Sequence, residues 1–116
     1  MDENYTIKLS KVIKQFNFNE VYLPEDAANI KVCSPDVERP GLALSGFFEK
    51  FENTRIEIIG KAEHAYLESL SNGERDARIR EFMKMQPVAV VFTSDLPVFE
   101  EMITYAREFG VPVLST

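Results

Sequence analysis

The only histidine of the chain, His64, is flanked by Glu63 and stands one helical turn before Glu68. Such a group is where a metal or an acid–base pair would be sought. Two ligands on one helix face fall short of the three a catalytic zinc needs. With a single His and a single Cys, neither a multi-histidine nor a Cys2His2 site can be built. A surface histidine paired with a carboxylate is the reading carried forward. Ser94, His64 and Asp95 offer the residue types of a hydrolytic triad, but no G-x-S-x-G elbow presents the serine. Thr93-Ser94-Asp95 follows an apolar run and precedes a helical pattern, where open α/β sheets bind ligands and a helix dipole favours anions. Thr93 and Ser94 are therefore candidate ligand contacts. Capping of the next helix by Ser94 or Asp95 is the plainer alternative, and Asp95 would itself repel an anion. Arg39 is read as a bridge to a carboxylate in preference to an anion contact. None of the five glycines opens a GxxxxGK[ST] loop; Gly60-Lys61 is followed by Ala62 and has no glycine five residues earlier. Catalytic residues, metal ligands and a tightly held cofactor are not expected of this chain.

The elements that would position these residues are organised around Glu38–Leu70. Leu44, Phe47, Phe48 and Phe51 fall at i, i+3, i+4 and i+7, which predicts one helix after Pro40 with four large apolar side chains on one face. Arg55 to Gly60 reads as a strand ending in a glycine that has either a positive φ or a close backbone approach. A helix over 62–71 would turn Ala62, Ala65, Tyr66 and Leu70 inward. A further helix over 74–85 would turn in Ile79, Phe82 and Met83, with Glu74–Arg78 and Asp76–Arg80 pairs on a solvated face. Upstream, residues 1–5 are expected to fray, and Thr6 to cap a helix over 7–16 that buries Leu9, Val12, Ile13 and Phe16. Strands are expected at 20–23 and 29–33.

Downstream, Val88–Phe92 is a continuous apolar run, the pattern of a strand covered on both faces in a parallel sheet. Pro97 opens a helix facing inward through Phe99, Met102, Ile103, Ala106 and Phe109. Gly110 closes it, and Val111–Leu114 begins another strand. Two βαβ crossovers follow, so the fold class is α/β, a small mixed or parallel sheet packed by helices. Lone Cys33 is a half-buried small residue. Nineteen acidic against thirteen basic residues, a net charge of −6, argue against nucleic-acid binding. No signal peptide or long apolar segment is present, so a cytoplasmic protein without membrane association is expected. The sequence stops directly after an apolar strand, which leads us to expect a chain cut from a longer one.

The ordered set Arg39-Pro40-Gly41-Leu42, Ser45-Gly46-Phe47-Phe48, Arg55-Ile56, Ile59-Gly60-Lys61-Ala62-Glu63 and Tyr66-Leu67 resembles the N-terminal domain of HPr kinase/phosphorylase. The resemblance spans nearly the whole chain, so residues 1–116 are read as that one domain. Glu38 stands where the family often has Asn, and Ala62 and His64 where it commonly has Thr and Trp. The resemblance implies a fold similar to the N-terminal domains of the MurE/MurF ligases. It also implies a parent that phosphorylates and dephosphorylates a serine of HPr in bacterial carbon catabolite control. That parent would use ATP and Mg2+, carry its catalytic residues in a C-terminal kinase domain, and form a homohexamer through that domain. Arg39, Pro40, Gly41, Gly46, Phe47, Phe48, Gly60, Glu63 and Tyr66 are then family-motif residues with structural roles. The chain itself is expected to be a non-catalytic regulatory or assembly domain, a monomer or weak dimer alone. The alternative is a stand-alone small-molecule-sensing or oligomerisation module with a MurF-like fold.

Overall fold

The structure, a computed structural model, describes residues 6–49 and 51–116; the expected frayed start, residues 1–5, lies outside the described residues. In chain order the elements are β1 (Ile7–Lys8), α1 (Leu9–Phe16), β2 (Asn19–Tyr22), a 3-10 turn (Ala27–Asn29), β3 (Lys31–Val32), β4 (Val37–Glu38), α2 (Gly41–Leu44), β5 (Ile56–Ile59), α3 (Lys61–Ser69), α4 (Asn72–Lys84), β6 (Ala89–Phe92), α5 (Glu100–Phe109) and β7 (Val113–Ser115). Strands order as β2-β7-β6-β5-β4 in a mixed sheet. The β4–β5, β5–β6 and β6–β7 pairs are parallel, and β2 is antiparallel to β7 at one edge. The α/β architecture and both parallel crossovers are those expected from the sequence.

Alternation along the strands divides the core into two. Ile56 opposite Ala89 and Val91 opposite Leu114 face α1 and the short β1–β3 ladder, where Leu9, Val12, Ile13 and Val32 complete one cluster. Ile59 opposite Phe92 and Val90 opposite Val113 face the other way, under Leu44, Leu67, Ile79, Phe82, Met83, Met102 and Ala106 of α2–α5. All four β6 residues are buried, as a strand covered on both faces requires.

Several expectations are corrected. The helix through Leu44, Phe47, Phe48 and Phe51 ends at Leu44. Gly46 has φ 100°, where a side chain would be strained, and a Cβ there would stand 2.6 Å from Arg78 Nη1. Phe48 and Phe51 still pack on the core, Phe51 edge-on to Phe82 at 5.9 Å, but Phe47 is 46% exposed. The first helix starts at Leu9, with Lys8 at its N-terminal boundary, so Thr6 is not its cap. Pairing of Ile7 with Val32 and Lys8 with Lys31 takes those residues into a ladder instead. Phe16 is exposed, and the strand expected over 29–33 shrinks to Lys31–Val32.

On α3 the inward residues are Glu63, His64 and Leu67, with Tyr66 and Leu70 half-buried, whereas Ala62 and Ala65 are exposed. The polar face of α4 is partly an interface. Arg75 donates to Glu101 at 2.9 Å, Tyr105 donates to Asp76 at 2.8 and 2.9 Å, and Arg80 lies 3.8 Å from Glu108. Among the described residues Asp76 and Arg80 take partners on α5 in place of each other, and the expected Glu74–Arg78 pair is not seen. Ile79, Phe82 and Met83 are fully buried as expected. The last helix begins at Glu100, three residues after Pro97.

Candidate functional site

Three residues of the motif segment meet where β5 turns into α3. Gly60 is the N-cap, and its N–H donates to Glu63 Oε1 at 2.8 Å, one half of a capping box. The same oxygen accepts from Arg39 Nη2 at 3.3 Å. Gly60 has φ −98°, so positive φ is not its reason. A Cβ at Gly60 would collide with the Arg39 guanidinium, which makes the close-approach reading the correct one. Burial alone would raise the Glu63 carboxyl. Hydrogen bonds from the Gly60 and Glu63 amides, with Arg39, outweigh burial and hold it below the usual carboxylate range. Arg39 is thus a bridge to a carboxylate, as the sequence reading preferred. Pro40 is buried at the N-terminal boundary of α2, where its carbonyl accepts from Leu44 N–H at 2.8 Å. Gly41 is exposed, with open space where a Cβ would stand.

His64 is 3% exposed, so the surface reading is overturned, although its carboxylate partner is the expected one. Nδ1 lies 3.1 Å from Glu68 Oε1 and Nε2 lies 2.8 Å from the Pro97 carbonyl. The ring stacks on Phe99 at 4.5 Å and meets Phe92 edge-on at 6.3 Å. A carbonyl only accepts, so Nε2 is the donating nitrogen toward Pro97, and Nδ1 faces the Glu68 carboxylate. Nε2 thus joins α3 to the segment before α5, while Nδ1 is engaged by Glu68 of α3 itself. No group of three or more His, Cys, Asp or Glu suited to a metal occurs among the described residues.

The Thr93-Ser94-Asp95 loop is a tight turn. Ser94 and Asp95 have φ of 58° and 56°, and Leu96 N–H returns to the Thr93 carbonyl at 3.1 Å. The Thr93 hydroxyl donates to the Ile59 carbonyl at 3.4 Å, and Ser94 is exposed. Phe99 is the N-cap of α5, so capping by Ser94 or Asp95 is not seen. Glu100 and Glu101 already place negative charge at that helix start.

A residue that the sequence reading passed over makes the more unusual site. Glu57 of β5 is 0% exposed, and neither carboxyl oxygen has a hydrogen-bond partner. It shares the sheet face of Ile59, opposite Glu38 on β4 and Val90 on β6. A cavity of about 70 Å³ lies against it, lined also by the charged Glu38 and Arg39 and by the apolar Pro40, Leu42, Phe47 and Phe51. Burial, with the neighbouring Glu38 charge and against Arg55, pushes the Glu57 carboxyl up to about 8. The available signal was a lone charge inside the apolar run Ile56-Glu57-Ile58-Ile59.

Residues 7–116 match the family model described as HPr Serine kinase N terminus. The chain belongs to that family. An HPr kinase/phosphorylase of Lachnoclostridium phytofermentans is 33% identical over 112 residues, which cover 97% of this chain and 36% of the relative. One of Lactiplantibacillus plantarum is 37% identical over 98 residues, covering 84% and 31%. One of Clostridium perfringens is 33% identical over 108 residues, covering 93% and 34%. The chain spans about a third of the length of the HPr kinase/phosphorylases it matches. The motif residues that carried the resemblance therefore lie in an HPr kinase N-terminal domain, around α2 and the start of α3. Arg39, Gly60 and Glu63 interlock there, Phe48 and Tyr66 pack on the core, and Gly46 turns the chain.

Proposed function

We propose that this chain is the non-catalytic N-terminal domain of a bifunctional HPr serine kinase/phosphorylase in bacterial carbon catabolite control, with a regulatory or assembly role. The single observation that carries this reading is the match over residues 7–116 to relatives of which the chain covers about a third. The cytoplasmic parent would bind ATP and Mg2+ in a C-terminal kinase domain, act on HPr of the phosphotransferase system and assemble as a homohexamer. A MurF-like ancestry for the mixed sheet belongs to the same reading. The packing supports the non-catalytic role. His64, the residue best suited to acid–base work, is buried with both ring nitrogens engaged, and the Thr93 hydroxyl is committed to the sheet. Incubation of the chain with ATP, Mg2+ and HPr is expected to leave HPr unphosphorylated; phosphoserine formed by the chain alone would overturn the reading.

A small-molecule-sensing role is the second reading, and the cavity over Glu57 favours it. The 93–97 loop lends it less, because that segment closes on itself as a turn.

A further inference from the structure

Glu57 is a buried acid that the fold leaves without a partner. Among the described residues, the buried side-chain polar atoms lacking a hydrogen bond are the two Glu57 oxygens and Arg55 Nε. The surrounding charges are committed elsewhere. Arg39 goes to Glu63, and Arg55 reaches Glu38 at 3.4 Å and Glu52 at 3.3 Å. From α4, Arg78 lies against Gly46. A carboxyl placed on the core face of a central strand, with a cavity over it and no donor aimed at it, is an unusual arrangement, since buried polar groups are nearly always satisfied. Besides Glu38 and Arg39 the cavity is lined by apolar side chains, of which Leu42 and Phe47 are 66% and 46% exposed.

We propose that this cavity receives the head of an organic monocation, a primary ammonium or guanidinium on an apolar stem, with the unpartnered Glu57 carboxyl as counter-charge and Phe47 and Phe51 against the stem. About 70 Å³ exceeds the share of liquid volume of one water, roughly 30 Å³, and suits a head group of a few atoms. The rings supply faces that attract cations, and the apolar side accepts methylenes. A divalent metal does not fit, because two carboxylates without a third oxygen, nitrogen or sulfur side chain make a poor cage. An anion does not fit either: Arg39 lines the cavity but is held by Glu63, Glu38 is matched by Arg55, and the carboxyl left over is Glu57. Because the empty site holds Glu57 as a neutral acid near neutral pH, a bound cation draws its proton off, and binding strengthens as pH rises toward 8. The cation is either a free metabolite or a Lys or Arg side chain of another protein.

The test is a two-dimensional NMR titration of the chain with n-butylammonium and n-butylguanidinium, with neutral n-butylurea as control. The expected result is saturable shifts of the Ala43, Phe47 and Glu57 amides, at least tenfold weaker with butylurea and in Glu57→Gln. Calorimetry of the unmodified chain at pH 7 in two buffers of different ionisation enthalpy should show about one proton released per cation bound. That measurement stands even if Glu57→Gln does not fold. Nα-acetyl-lysine and Nα-acetyl-arginine N-methylamides separate the sources. Binding within threefold of the simple amines assigns the site to a protein side chain, and loss of binding assigns it to a free cation. No shifts at the cavity, equal binding of butylurea, or binding without proton release would overturn the proposal. These readouts do not depend on kinase activity, so their failure leaves the family-based role untouched.

Discussion

Arg39 and Gly60 stand so close that a side chain at position 60 would have to push the guanidinium aside: it occupies the space of a Gly60 Cβ while it donates to Glu63. The glycine is required by contact, not by backbone angle. Gly60→Ala is expected to displace the Arg39 side chain and cost about 1 kcal/mol, the upper range for a partly exposed ion pair. Gly41→Ala, with open space around it, is expected to fall within about 0.5 kcal/mol of neutral or to stabilise. Urea denaturation of both variants checks the contrast, and equal effects would contradict it.

The pH dependence of stability should carry the mark of Glu57. Its folded pKa, about 8, lies above the unfolded value of 4.5, so the folded state holds the extra proton between these values. Stability is therefore fully present below about pH 4.5 as far as this group goes, and falls as pH rises toward 8 and just beyond, by a few kcal/mol at ~1.4 kcal/mol per pH unit. Glu63 acts in the opposite sense. Its folded pKa is lowered, so its contribution is present above the unfolded value and is lost as pH falls through the folded one. Denaturation midpoints should be highest near pH 5, and Glu57→Gln should flatten the alkaline limb alone. An unchanged alkaline slope in that variant would contradict the account.

His64 joins α3 to Pro97 through a 2.8 Å hydrogen bond and to Phe99 by stacking. Replacement by Leu keeps apolar contact but leaves the Pro97 carbonyl without its donor. A loss of about 1–3 kcal/mol is expected, the cost of an unsatisfied buried acceptor. Thermal unfolding measures it, and an undiminished midpoint would show that the bond carries no stability.

The α4–α5 contact offers a cleaner pairwise measurement. Tyr105 donates to both Asp76 oxygens, and that bond, with lesser burial and charge effects, raises the phenol above its ordinary pKa. Tyr105→Phe is expected to cost about 0.5–1.5 kcal/mol. In an Asp76→Ala background, which removes the acceptor, the cost should shrink, giving a coupling energy of about 0.5 kcal/mol or more in a double-mutant cycle. Zero coupling would contradict a direct bond.

The strands and the inward face of α4 were legible because burial there is periodic: Val88–Phe92 reads as a run, and Ile79, Phe82 and Met83 keep helical spacing. The same spacing misled at Leu44, Phe47, Phe48 and Phe51. An irregular segment packing from one side places apolar residues at similar intervals, and Gly46 was the sign of a break. On α3 the alanines looked like the inward stripe, but alanine gains little from burial. Glu63 and His64 turn inward because Arg39 and the Pro97 carbonyl await them, partners 24 and 33 residues away that no local pattern reveals. Glu57 escaped notice for the same reason. Alternation alone puts it on the side opposite Ile56, and it is Pro40, Leu42, Phe47 and Phe51, distant in sequence, that come to lie over it.

The central claim, a non-catalytic domain of an HPr kinase/phosphorylase, is met most directly by one comparison. The parent enzyme, with and without residues 1–116, would be assayed for phosphorylation of HPr on serine and for its reversal, with ATP binding measured on both forms. The account predicts that the shortened enzyme still binds ATP and transfers phosphate in both directions, with a changed balance between the two activities or a changed assembly state. A folded, ATP-binding remainder that had lost both reactions would place a catalytic group in this domain and contradict the account.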